Sequence, residues 1–182
     1  MQKSLSNSGK FLSSRVSFLL IFLWLANDHI WKRQFHNEVT GKISDITGLI
    51  VFPFLLTSLA FLISYEKICE KFLFLFANIT IANLFFIINW DQDWNDWIYT
   101  NCFGNQNGFA DRTDLFCIPF CLCANFFFYT KFSKIEITLS TRYFFLQLIA
   151  IILSILAFTN TSTIDPNMHL KKTKLNTKVQ KN

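Results

Sequence analysis

A chain of 182 residues with a net charge of +5 is long enough for one compact unit and too short for two domains of usual size. Hydrophobic residues make up 52% of it, and 23 Phe gather with Leu and Ile into runs almost free of charge. That excludes a soluble domain, which interleaves polar and apolar positions at helix or strand spacing, and leaves an all-α, polytopic transmembrane helix bundle as the expected fold class.

Taken in chain order, the first apolar run is Val16 to Ala26, behind the basic residues Lys3, Lys10 and Arg15. This outline resembles a signal peptide, but Trp24 stands where a cleavage site needs a small residue, so a retained helix over 11–31 is expected. The second run, Ile46 to Tyr65, holds twenty residues and no charge, the length that spans a bilayer. The third, Phe72 to Trp90, carries Asn78, Asn83 and Asn89, of which Asn78 and Asn83 are expected to hydrogen-bond neighbouring helices. The fourth, Leu115 to Tyr129, is short and contains Pro119, so it reads either as a full span or as a broken, re-entrant one. The fifth is Tyr143 to Phe158, with Gln147 inside it. The expected count is therefore about five spans, with four as the alternative.

These spans form one transmembrane domain over 1–165, followed by a basic tail over 166–182. Lys171 to Asn182 holds five Lys, no acid and no aromatic residue. It reads as a solvated segment or one that meets anionic lipid; the bilayer is the expected partner and nucleic acid is not. The loop Asp91 to Thr113 has a single basic residue, Arg112, and is expected outside, with the N-terminus inside. Trp90, Trp94 and Trp97 suit an interfacial aromatic belt. The five Cys show no zinc-ligand pairing and no disulfide framework.

Three polar clusters stand at the edges of the spans. Asn27, Asp28 and His29 close the first helix, with Lys32 and Arg33 just beyond. Thr40, Gly41, Lys42, Ser44 and Asp45 open the second, followed by Gly48 and Pro53. Asp111, Arg112, Thr113 and Asp114 open the fourth. Counting crossings from any one of them brings all three to the same membrane face. Part of this has a structural explanation. Ser44 and Thr113 each precede an apolar run and suit helix caps, Asp45 and Asp114 suit the positive end of a helix dipole, and Asp28 and Lys32 sit one turn apart. Gly41 and Gly48 share a helical stripe that permits close packing.

Ionisable groups next to a bilayer also point to function, and four readings stay open. Asp28, His29, Asp45 and Asp114 are suitable donors for a divalent cation. Lys42, with backbone N–H groups at the Gly41 turn, suits a phosphate-bearing headgroup, on which Ser44 or a metal-bound water would act as nucleophile. His29 and the carboxylates suit a proton relay. A structural network of caps and ion pairs is the fourth. No phosphate-binding Gly-rich loop, paired CxxC, HExxH or GxSxG element is present, so no reaction is named.

Asn27-Asp28-His29, then "TGKISDITGLIVFP" (Thr40 to Pro53), then "ADRTDLFCIP" (Ala110 to Pro119) resemble a family of small bacterial multi-pass membrane proteins with NDH, GKxSDxxGL and DxTDLxxxP motifs and no established activity. Arg112 stands where that pattern has Pro. The resemblance implies a protein of the bacterial inner membrane in which the three clusters act together, and it assigns no catalytic role.

Overall fold

The computed structural model describes residues 5–35, 38–63, 68–103, 110–134 and 140–161. Among these residues every regular element is helical. Residues 64–67, 104–109 and the 166–182 tail lie outside the description.

The first segment is two helices rather than one. Helix α1 (Asn7–Leu12) stops at Ser13, and α2 (Arg15–Ala26) starts after Ser14. Serine hydroxyls explain the break, because each satisfies a free N–H at a helix start. The Ser6 hydroxyl accepts from Gly9 N–H at 3.1 Å, and that of Ser14 accepts from Ser17 N–H at 3.3 Å. Helix α2 then runs without a break through a π-turn (Asn27–Trp31) into α3 (Lys32–Gln34). In the π-turn the Lys32 N–H reaches back five residues to the Asn27 carbonyl.

Four later segments are long and apolar enough to cross a membrane: Val39–Ile63, Glu70–Trp90, Arg112–Phe132 and Thr141–Phe158. They lie in α4 (Glu38–Ile63), in α5 (Glu70–Trp90), in a composite segment, and in α8 (Thr141–Thr161). The first helix falls outside this set. Over its length it carries Arg15, Asp28, Lys32 and Arg33. Helix α6 (Gln92–Phe103) follows α5 after a one-residue break at Asp91. The Asp91 carboxylate caps α6, accepting from Asp93 N–H at 2.8 Å.

The composite segment is continuous but irregular. It opens as a 3-10 turn (Arg112–Cys117), passes Pro119 into α7 (Phe120–Phe126) and closes as a second π-turn (Phe127–Phe132). Pro119 sits at the N-cap of α7, where its missing N–H costs no intrahelical bond.

Aromatic side chains make the core. Phe11 stacks on Phe54 at 3.7 Å between ring centroids, Phe74 stacks on Phe128 at 4.0 Å, and Phe54 bridges the two pairs through Phe74 at 4.9 Å. All four rings are fully buried. They join α1, α4, α5 and the second π-turn, so the short α1 is a packed element. A smaller cluster of Leu49, Ile81, Cys117 and Cys121 lies toward the other end of the bundle. Two buried amides tie helices together: Asn78 Nδ2 donates to the Cys121 carbonyl at 3.2 Å, and Gln147 Nε2 donates to Ser58 Oγ at 2.6 Å. Asn83 departs from expectation, since it is exposed on α5 and bonds to no described neighbour.

Candidate functional site

The second motif lies inside a helix, and this changes the meaning of its residues. Helix α4 begins at Glu38, well before Ile46. Ser44 and Asp45 are therefore past the first turn, and neither caps the helix nor meets the end of its dipole. Gly41 is likewise helical, so no Gly41 turn offers a cradle of N–H groups to a phosphate. Nothing lies within 4 Å of a Cβ built on Gly41, whereas Gly48 faces the Trp24 ring at 3.5 Å, so only the second glycine serves packing.

Ser44 joins α4 to the π-turn. Its hydroxyl donates to Asp28 Oδ1 at 2.6 Å and accepts from Asn27 Nδ2 at 2.7 Å. The same Asn27 amide donates to the Thr40 carbonyl at 2.7 Å. A carbonyl only accepts, so this bond fixes which end of the amide carries nitrogen. The Thr40 hydroxyl in turn donates to the Phe35 carbonyl at 3.1 Å, holding the start of α4 against the end of the first helix. Lys32 Nζ completes the group at 2.9 Å from Asp28 Oδ1, with the Asp28 side chain 3% exposed and that of Lys32 33% exposed. The π-turn is what permits this. An extra residue in the turn rotates Asn27 and Asp28 together toward α4, a distortion often found where side chains must converge.

A second group links α4 to the composite segment. Lys42 Nζ donates to Thr113 Oγ1 at 2.8 Å and to Asp114 Oδ1 at 3.4 Å. Thr113 is not the cap of the 3-10 turn. Asp111 is, its carboxylate accepting from Thr113 N–H at 2.8 Å. Arg112 leaves the group entirely: its Nε donates to the Trp90 carbonyl at 3.2 Å and its guanidinium lies 5.0 Å from the centre of the Trp90 ring.

Asp45 stands between the two groups, in the electrostatic field of Asp114, Lys32, Asp28 and Lys42. It is half-buried and makes no hydrogen bond to a described residue. Within the first group, Asn27 Oδ1 and Asp28 Oδ2 are buried and make no hydrogen bond to a described residue. Asn27, Asp28, Lys32, Thr40, Lys42, Ser44, Asp45, Asp111, Thr113 and Asp114 thus meet on one face. His29 is exposed.

A metal set of Asp28, His29, Asp45 and Asp114 is not assembled, for no three His, Cys, Asp or Glu side chains among the described residues gather closely enough to hold a metal ion. Asp28 is turned instead into the link with α4, its Oδ1 held by Ser44 and Lys32, while His29 is exposed.

Tyr99 is a member that sequence reasoning missed. It lies on α6, and burial first, then the charge of Asp45, raises its phenol above the ordinary tyrosine value. That coupling brings Tyr99 within electrostatic reach of Asp45. Its signal was the polar stripe of Asn95 and Tyr99, four residues apart on one face of α6, beside three more conspicuous Trp. Asn95 is buried and donates to the Ile88 carbonyl at 2.9 Å, fixing α6 to the end of α5.

Compared with known proteins, the chain matches no family model, no curated protein and no solved structure.

Proposed function

We propose that this chain is a multi-pass membrane protein that binds a small cation or a proton at one membrane interface, with Asp45 as the acceptor. The observation that carries this reading is the charge balance around Asp45. Asp28, Asp45 and Asp114 face only Lys32 and Lys42 among the described side chains coupled to Asp45. With Asp111 also acting on Asp114, at least one negative charge is left over in a half-buried setting, where an unpaired charge costs several times what it costs in water. Uptake of a proton or a monovalent cation removes that cost.

Half of the motif is accounted for without a ligand. Asn27, Asp28, Lys32, Thr40 and Ser44 form a clamp between the first helix and α4. Asp45 has no such role. The clamp also weighs against a headgroup-active enzyme, because the Ser44 hydroxyl is buried and already both donates and accepts, and Lys42 is held by Thr113 and Asp114. The motif resemblance supports a bacterial inner membrane as the location.

The test is flux of protons and of monovalent cations in proteoliposomes. Wild-type protein should carry a flux that Asp45→Asn abolishes and Asp114→Asn lowers. Equal flux in all three, or none above empty vesicles in the wild type, would overturn the reading.

A further inference from the structure

Helix α5 uses one side to join the bundle, through buried Phe74, Ala77, Asn78 and Ile81. Its other side carries a second pattern. Phe72, Phe76, Ile79, Asn83, Phe86 and Trp90 follow one another at alternating steps of four and three residues, the spacing of a left-handed helix–helix seam. The five apolar members of that row are 41–64% exposed, and Asn83 is exposed among them. Phe72, Ile79 and Phe86 take the d positions of the heptad; Phe76, Asn83 and Trp90 take the a positions.

We infer that this seam is the contact between two copies of the chain, closed by an amide–amide hydrogen bond between the Asn83 side chains. The inference rests on the membrane-spanning reading of α5. Lipid covers Phe and Ile without penalty, so the apolar residues alone would specify nothing. Asn83 changes this. By helical rise it lies about 10 Å from Trp90 and about 20 Å from Glu70, deep in the hydrocarbon, where an amide finds no partner in lipid.

Carboxamides are self-complementary, since each both donates and accepts. A second copy inserted in the same direction brings its own Asn83 to the same depth automatically, whereas an unrelated helix would need a polar residue placed there independently. A single Asn at a central a position is also the arrangement that fixes register and favours two strands. The seam ends at Phe86, Ile87, Trp90, Asp91 and Trp94, which line an apolar groove at the α5–α6 junction.

The experiment uses the full chain, singly labelled and reconstituted in lipid vesicles at low protein density, with photobleaching steps counted per spot. The wild type should bleach predominantly in two steps. Asn83→Leu, which is lipid-compatible and lies outside the packed core, should weaken association about 3- to 30-fold, the range expected for one interhelical polar contact in a membrane. Asn83→Gln should retain most of it. Ile152→Ala, on the exposed side of α8, should leave it unchanged. Single-step bleaching of the wild type at every density overturns the inference, as do two-step bleaching of Asn83→Leu at wild-type levels and an equal loss in Ile152→Ala. Resistance to alkaline carbonate extraction reports insertion separately, so a chain that extracts fails the membrane reading itself, and one that resists but stays monomeric fails only the dimer.

Discussion

Ser44 Oγ lies 2.6 Å from Asp28 Oδ1, and this bond, beside those of Asn27, joins the π-turn of the first helix to the interior of α4. A neutral hydroxyl donating to a carboxylate is among the stronger hydrogen bonds a protein makes, and here both groups are nearly closed to water. Ser44→Ala removes the donor and leaves Asp28 Oδ1 to Lys32 at 2.9 Å and a long bond from Asn27 Nδ2 at 3.5 Å. It should cost about 1–3 kcal/mol of stability, read as a lower unfolding midpoint in detergent. Combined with Asp28→Asn in a double-mutant cycle, the pair should show a coupling of about 0.5–3 kcal/mol. Additive effects would mean that the bond contributes nothing specific.

Lys42 makes the other link, and a weaker one. Its side chain and that of Asp114 are 29% and 22% exposed, so solvent screens the pair and its contribution should stay below about 1 kcal/mol. Lys42→Met should therefore barely move the unfolding midpoint. It should instead release the 3-10 turn locally, and amide hydrogen exchange over Arg112–Cys117 should quicken while exchange in α5 does not. A large global loss would show that Lys42 carries more of the fold than its exposure allows.

The raised titration of Tyr99 sets a pH dependence with a definite sign. Burial favours the neutral phenol in the folded state, and the Asp45 charge adds to it. Above the ordinary tyrosine value of about 10 the unfolded chain ionises first, so stability should fall as pH rises through that value toward the higher folded one, with no Tyr99 effect below it. Tyrosinate absorbance, compared between wild type and Tyr99→Phe, isolates this group. Asp45→Asn should bring the Tyr99 titration down toward ordinary, and an unmoved titration would separate α6 from the carboxylates.

Apolar run length made the later spans legible in the sequence, because the hydrocarbon thickness leaves little freedom in how many residues cross. Counting crossings likewise puts Asn27, Ser44 and Asp114 on one face, where Asn27 bonds to Ser44 and Asp114 to Lys42. What run length does not carry is where a helix starts. The polar residues Thr40 to Asp45 read as a cap and a loop, yet their partners on the π-turn let α4 absorb them from Glu38 onward. The break at Ser13 and Ser14 is hidden for the opposite reason: a hydroxyl within an apolar stretch is compatible with a helix interior, and the Ser14 cap marks a helix start only once Phe11 packs on Phe54. Tyr99 was missed because its reach to Asp45 depends on the direction α6 takes after the one-residue break at Asp91, which spacing does not encode.

The same tertiary control shows at Glu70, and it gives the last prediction. The Glu70 carboxylate accepts from the backbone N–H groups of Asn7 at 3.0 Å and Ser8 at 2.8 Å, so the first residue of α5 closes the start of α1. A helix of six residues is too short to persist by its own hydrogen bonds, and its first N–H groups need acceptors. An anion there satisfies two of them and meets the positive end of the helix. Glu70→Gln keeps one acceptor oxygen and removes the charge, and should cost about 0.5–2 kcal/mol. Because α1 also carries Phe11 into the aromatic core, the loss should appear as faster exchange and earlier proteolysis within Asn7–Leu12, with the Ser44–Asp28 clamp at the other end of the bundle unaffected. Protection of α1 equal to wild type in Glu70→Gln would show that Phe11 packing holds the helix without its cap.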